Sequence, residues 1–225
     1  MIDKILDRYK VHIFIGMFGS GKTELALNTA IKLKEHKDLV AIADLDFISP
    51  YFRVRDKKDI LEEQGIKVIT PPEKYMYADV PIISAQISGY ITNPEFKTVL
   101  DIGGNEEGVR VLGSLKNYIE TVDSVTYFVI NTKRPFMQEK ENIIRNLRLI
   151  EQSSRCKVNY LVANTNLQDE TTQEIINHGE DLLEEVSAET NIPIAFTVVS
   201  EKFNNDVTTK FKKFIIKRFF REYGF

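Results

Sequence analysis

The sequence predicts an α/β protein in which a mostly parallel sheet carries helices on both faces, and two observations support that class. Strand-like apolar runs alternate with amphipathic stretches along the whole chain. The first alternation, residues 11 to 31 (VHIFIGMFGSGKTELALNTAI), passes from a β-rich apolar run through a glycine-rich turn. It ends in a stretch where Leu25, Ala26, Thr29, Ala30 and Leu33 recur at three and four residues, so strand, loop and helix follow in that order.

The other elements follow in turn. LVAIAD (39 to 44) reads as a buried strand, residues 54 to 64 as a helix closed by Gly65, and IKVIT (66 to 70) as a strand. Residues 71 to 94 are the least regular stretch; Tyr75, Tyr77 and Tyr90 there serve either a contact surface or a small local core. Next come a strand in KTVLDIGG (97 to 104), a helix from about 106 to 119, a strand in SVTYFVIN (124 to 131) and a helix from about 137 to 151. KVNYLVANTN (157 to 166) and PIAFTVV (193 to 199) read as strands around a helix from about 171 to 188, and a last helix is expected over about 206 to 222.

A length of 225 residues suits one domain, 1 to 225, with a core of its own. The net charge of -3 gives no global case for nucleic acid, so any basic patch must be local. A single cysteine, Cys156, excludes a disulfide framework, and His12, His36 and His178 lack ligand spacing. No apolar run reaches membrane-spanning length and nothing at the N-terminus resembles a signal peptide, so a cytoplasmic location is expected.

Gly16, Gly21, Lys22 and Thr23 fit the phosphate-loop pattern G-x-x-x-x-G-K-[ST]. Its chemistry assigns a nucleoside triphosphate to the loop backbone, Gly16, Met17, Phe18, Gly19, Ser20 and Gly21, running on into Thr23 and Glu24 at a helix N-terminus. Lys22 meets the β and γ phosphates, and Thr23 offers its hydroxyl to Mg²⁺. In parallel sheets ligands gather at the carboxyl ends of strands. Asp44 and Asp46 end the second strand, two residues apart and so on one side. Asp101 ends TVLD as in a Walker B strand and would hold a magnesium-bound water, while a glycine N–H just beyond it, at Gly103 or Gly104, is placed to sense the γ-phosphate. Such carboxylates also serve as plain helix caps and turn formers.

With GMFGSGKT, the Asp44-x-Asp46 pair, DIGG and the strand ends VIN and VANTN, the chain resembles the MinD/ParA group of P-loop NTPases over about residues 10 to 200. That group lies in the larger class that also holds signal-recognition GTPases and dethiobiotin synthetase. The resemblance implies about seven strands in a three-layer fold, with the Walker B strand beside the phosphate-loop strand. It also implies that Asp46 positions or polarises the attacking water, that Asp44 and Asp101 serve magnesium, and that Asn164 contacts the base. Asn131 is the other candidate at the base.

One departure stands out. Many MinD/ParA proteins carry a second lysine just after the first glycine of the loop, reaching across a dimer, and Met17 occupies that place. Arg53 or Arg55 is the nearest replacement cation, against a plain reading in which both lie on a solvated helix face. Neither VINTKRPF nor VANTNLQD contains Asn-Lys-x-Asp, which favours ATP over GTP. The loop is also similar to those of nickel-insertion GTPases, although the Cys and His clusters of those proteins are missing. In the C-terminal stretch, Lys210, Lys212, Lys213, Lys217, Arg218 and Arg221 accompany Phe211, Phe214, Ile215, Phe219 and Phe220. A core helix outweighs membrane or nucleic-acid contact there, because burying each large apolar side chain is worth about 1.5 to 3 kcal/mol against about 1 kcal/mol per basic residue at an anionic surface.

The functional expectation is a slow Mg²⁺-dependent ATPase that acts as a nucleotide switch or energy source for a protein partner, through a homodimer face near the phosphates. A small-molecule kinase or ATP-dependent ligase, and a module that holds nucleotide without useful hydrolysis, are the alternatives.

Overall fold

The computed structural model describes residues 2–46, 53–70, 80–104 and 106–220. Among these, eight strands form one sheet: β1 (Val11–Ile15), β2 (Val40–Leu45), β3 (Ile66–Ile69), β4 (Lys97–Ile102), β5 (Ser124–Ile130), β6 (Tyr160–Ala163), β7 (Ile194–Ser200) and β8 (Lys213–Ile216). Their order is β3-β2-β4-β1-β5-β6-β7-β8, and every neighbouring pair is parallel. β4, which carries Asp101 next to its end, lies beside β1, the arrangement that the resemblance implies, and Asp44 is in register with Asp101.

Strands buried on both faces need continuous apolar runs, and β1 and β2 are buried at every position. One face of the sheet is covered by α1 (Ile2–Arg8), α2 (Lys22–Lys34) and α3 (Lys58–Glu63), which follows a 3₁₀ turn at Val54–Lys57. Leu6, Leu25, Leu33 and Leu61 pack there with Phe14 and Tyr127. The other face carries α4 (Val80–Thr92), α5 (Glu106–Ile119), α6 (Lys140–Ser154) and α7 (Gln173–Thr190), whose Ile91, Leu112, Leu147 and Leu183 share one core. The apolar faces of α5, α6 and α7 are the stripes that the helical spacing predicted.

Two expectations are corrected. Residues 80 to 92 of the stretch read as irregular form α4, because Ile87 and Ile91, one turn apart, fall on the α5 side of the core. Tyr90 is part of that packing, edge-on to Phe96 at 5.0 Å, while Tyr75 and Tyr77 lie outside the described residues. The last helix is replaced by β8, which raises the strand count from about seven to eight. Phe211, Phe214 and Ile215 have helical spacing, but Lys213–Ile216 also alternates. Phe214 and Ile216 enter the core beside Phe196, while Ile215 packs on the opposite side with Ile176 and Val199. A strand meets apolar surface on both sides and closes the open ladder of β7, with Thr197 N–H donating to Lys212 at 2.8 Å; a helix would bury one stripe only. Two of the basic residues here are engaged within the fold: Lys210 pairs with Asp181 at 2.6 Å and with Glu184, and Lys213 donates to the Asn204 carbonyl. Arg221 lies outside the described residues. Among those described, no helix is long and apolar enough to cross a membrane.

His12, fully buried in β1, has Nε2 3.1 Å from the Leu6 carbonyl and Nδ1 3.4 Å from the Tyr127 hydroxyl. Burial, helped by the charge of Lys97, holds its pKa down to about 4 from 6.5. The unfolded chain therefore takes a proton that the native state refuses between those values. Its contribution is complete above pH 6.5 and falls as pH drops towards 4, by about 1.4 kcal/mol per pH unit. Urea midpoints measured at pH 7, 6 and 5 should fall less steeply for His12→Gln than for the wild type.

Candidate functional site

Local conformation makes the loop after β1. Gly16, Gly19 and Gly21 all have positive φ, and Gly21, at φ 91°, is also the residue from which α2 starts. A β-carbon at Gly21 would stand 2.2 Å from Asn164 Nδ2, so only glycine lets the end of β6 close on the loop there. The Lys22 side chain is buried and donates to the Met17 carbonyl at 3.1 Å. Burial lowers its pKa, while Asp101 and then Asp46 raise it. Met17 packs on the core beneath α5, and Phe18 stands 70% exposed. Ser20 is buried with its hydroxyl unpartnered among the described residues.

Three carboxylates converge from β2 and β4. Asp101 is 1% exposed, and neither of its oxygens has a well-aligned hydrogen bond among the described residues. Desolvation pushes its pKa up to about 7; Lys22 and a weak contact from Thr23 oppose that rise, and Asp44 and Asp46 add to it. Asp44, wholly buried, accepts from Arg55 Nε at 2.7 Å and Arg55 N–H at 3.1 Å on one oxygen, and from Asp46 N–H at 3.1 Å on the other. Arg55 also donates to the Asp46 carbonyl at 2.7 Å, while Arg53 is engaged with Asp56. Neither arginine lines the cavity described next, and both are held by carboxylates of their own chain.

A cavity of about 220 Å³ opens over the loop. Of the sequence-predicted residues, Phe18, Gly19, Gly21, Lys22, Thr23, Glu24, Asp46 and Asn164 line it. Gly16, Met17, Ser20, Asp44 and Asp101 lie behind or beneath that lining. The Gly103 N–H donates to the Leu45 carbonyl at 3.2 Å and so continues the ladder, which leaves Gly104 as the glycine against the loop. Asn164 donates to the Ser20 carbonyl at 2.6 Å and thereby braces the loop from outside. Asn131 does not reach the cavity: it accepts from Lys133 N–H and donates to the Asn166 carbonyl, tying the turns after β5 and β6 together.

Sequence reasoning missed several wall residues. Arg134, in the turn after β5, and Thr165, Asn166 and Gln168, after β6, all lie at strand carboxyl ends, which was the available signal. Arg218 and Phe220 had none. The chain after β8 runs back across the start of α2, where the half-buried Glu24 carboxylate accepts the N–H groups of Phe219 (3.0 Å) and Phe220 (2.9 Å). Burial raises the Glu24 pKa, and those two bonds counter it. Asn28 exchanges two bonds with the Lys217 backbone, and Arg218 reaches Gln168 at 2.8 Å and Asp169 at 3.3 Å.

The residues fit a magnesium ion held largely by its ligand's phosphates. Thr23 heads α2 beside Asp101, whose buried oxygens lack partners, and among the described residues no group of three His, Cys, Asp or Glu side chains forms a self-sufficient metal cage. Asp44 is committed to Arg55 and so is less free for the metal than the resemblance implied.

No protein-family model matches the sequence, and no curated protein resembles it closely enough in sequence to count as a relative. Solved structures do resemble it in fold. The cell division protein FtsY of Thermotoga maritima superposes with a TM-score of 0.59 at 18% identity, over 88% of this chain and 68% of that one. The signal recognition particle receptor FtsY of Elizabethkingia anophelis, in complex with GDP, gives 0.59 at 16% identity, over 85% and 57%. The signal recognition particle 54 kDa protein of Aeropyrum pernix, also with GDP, gives 0.56 at 18% identity, over 84% and 41%. The chain thus spans between about two fifths and two thirds of these proteins, and what is shared is the P-loop NTPase fold.

Proposed function

We propose that this chain binds a purine nucleoside triphosphate with Mg²⁺ and hydrolyses it slowly. One observation carries the reading: a buried ammonium, Lys22, and a loop of glycines with positive φ face a buried carboxyl, Asp101, whose oxygens have no well-aligned hydrogen bond among the described residues. Without an anion and a cation between them that arrangement is costly. Thr23 and Asp101 would hold the magnesium, which neutralises charge between the phosphates. The loop N–H groups and Lys22 orient the anion, and Asp46, lining the cavity, is placed to hold the attacking water.

ATP is favoured by the wall after β6, where Asn164, Thr165, Asn166 and Gln168 offer amides and a hydroxyl, and none of the described lining residues of that segment is a carboxylate that could accept from a guanine edge. GTP is the second reading, because two of the proteins with this fold are seen with GDP. A switch for a protein partner fits two exposed aromatics, Phe18, which lines the cavity and is 70% exposed, and Phe136, two residues past the lining residue Arg134 and 69% exposed.

Calorimetric titration with MgATP and MgGTP tests binding and base choice together. Binding of one of them below about 100 μM is expected, and no heat from either overturns the reading. Asp46→Ala should retain that affinity and lose about 100-fold or more in turnover, the usual scale for removing a group that handles the attacking water. Unchanged turnover would remove Asp46 from the mechanism.

A further inference from the structure

Three cations line the cavity, and they are not in the same state. Lys22 belongs to the phosphate loop, and Arg218 is neutralised by Asp169. Arg134 has no acidic partner among the described residues. Its backbone is fixed, with its N–H on the Asn131 carbonyl at 3.1 Å and its carbonyl accepting from Met137 at 3.2 Å. Its Nε donates to the Gly19 carbonyl at 2.9 Å. The guanidinium packs so closely that a β-carbon on Gly19 would lie 3.0 Å from Nε and 3.3 Å from Cζ.

The side of the loop on which Arg134 lies follows from its bond. A phosphate loop turns its N–H groups inward; Lys22 bonds the Met17 carbonyl from within the loop, whereas Arg134 reaches the Gly19 carbonyl from the turn after β5 and so approaches the loop from outside. Asn164 holds the next carbonyl, that of Ser20, and lines the same cavity. Arg134 and Asn164 therefore stand together where the nucleoside projects once its phosphates occupy the loop. A planar cation fixed along one edge has its face available to an aromatic ring.

We propose that Arg134 is a nucleoside-positioning residue, whose guanidinium forms a cationic wall against the purine ring. The proposal rests on the nucleotide-binding reading above and adds a residue to it.

Titration of wild type, Arg134→Ala and Arg134→Lys with MgATP, MgGTP and inorganic tripolyphosphate tests it. Arg134→Ala should weaken the preferred nucleotide by about 3- to 30-fold and leave tripolyphosphate within about twofold. Arg134→Lys keeps a charge and a donor for the Gly19 carbonyl but no plane, so it should recover only part of the loss. Equal losses for nucleotide and tripolyphosphate would make Arg134 a phosphate ligand or a loop brace and overturn the proposal. No loss for any ligand, or full recovery with lysine, would overturn it as well. Wild type that binds tripolyphosphate but neither nucleotide, or none of the three, defeats the nucleotide reading and this proposal with it.

Discussion

Asp101→Asn is expected to make the nucleotide-free protein more stable at pH 8. The wild-type carboxyl is held up to about 7, against an ordinary value of 3.8, because the end of β4 gives it burial and two neighbouring carboxylates. The native state thus binds a proton more tightly than the unfolded chain does. The group costs nothing below about pH 4, costs progressively more through pH 7, and carries its full cost above that, on the order of 4 kcal/mol. An amide at the same place has no charge to desolvate. The melting temperature of the variant should exceed that of the wild type by roughly 10 °C at pH 8, and the gap should close towards pH 4. With MgATP or MgGTP present the order should reverse, because ligand stabilises only the protein that binds it well. A variant that melts lower than wild type at pH 8 without ligand would show that the carboxylate has partners that compensate its burial.

Arg55→Ala should have the opposite effect. Arg55 and Asp44 form an ion pair at 2.7 Å whose side chains are 15% and 0% exposed. Among the described residues, removing the guanidinium leaves the Asp44 carboxylate in the interior with two backbone N–H donors, from residues 55 and 46, and no ion-pair partner. Breaking a buried pair in this way costs about 3 to 5 kcal/mol. Urea unfolding measures the loss, and the double variant Arg55→Ala, Asp44→Asn should recover most of it, since no charge is then stranded. A single-variant loss below about 1 kcal/mol would mean that the pair does not hold the end of β2 in place. Turnover should fall with stability, because Arg55 also fixes the Asp46 carbonyl.

The cradle and its carboxylates were legible because their chemistry is local. Gly16 to Thr23 form one contiguous motif, and Asp44, Asp46 and Asp101 sit where apolar runs stop. What the side chains do there was less legible. The Arg55 bond to Asp44 depends on how the chain returns after β2, and Asn131 and Asn164 differ in role through loop packing that no spacing rule encodes. Arg134 is 115 residues from the carbonyl it holds. β8 was misread because its apolar positions satisfy two periods at once, and the choice was made by the open edge of β7. α4 lies in the stretch read as least regular, which is interrupted by Pro81 and Gly89, although Ile87 and Ile91 already had the spacing of a buried stripe.

The bonds between Glu24 and the amides of Phe219 and Phe220 join positions 195 and 196 residues apart. During synthesis the loop itself draws on contacts local in sequence, yet the wall above it waits for a segment made almost two hundred residues later. A nascent chain therefore passes through a stage in which that side of the cavity is open, and docking of the late segment, which brings Arg218 and Phe220 to the wall, is the step that encloses it.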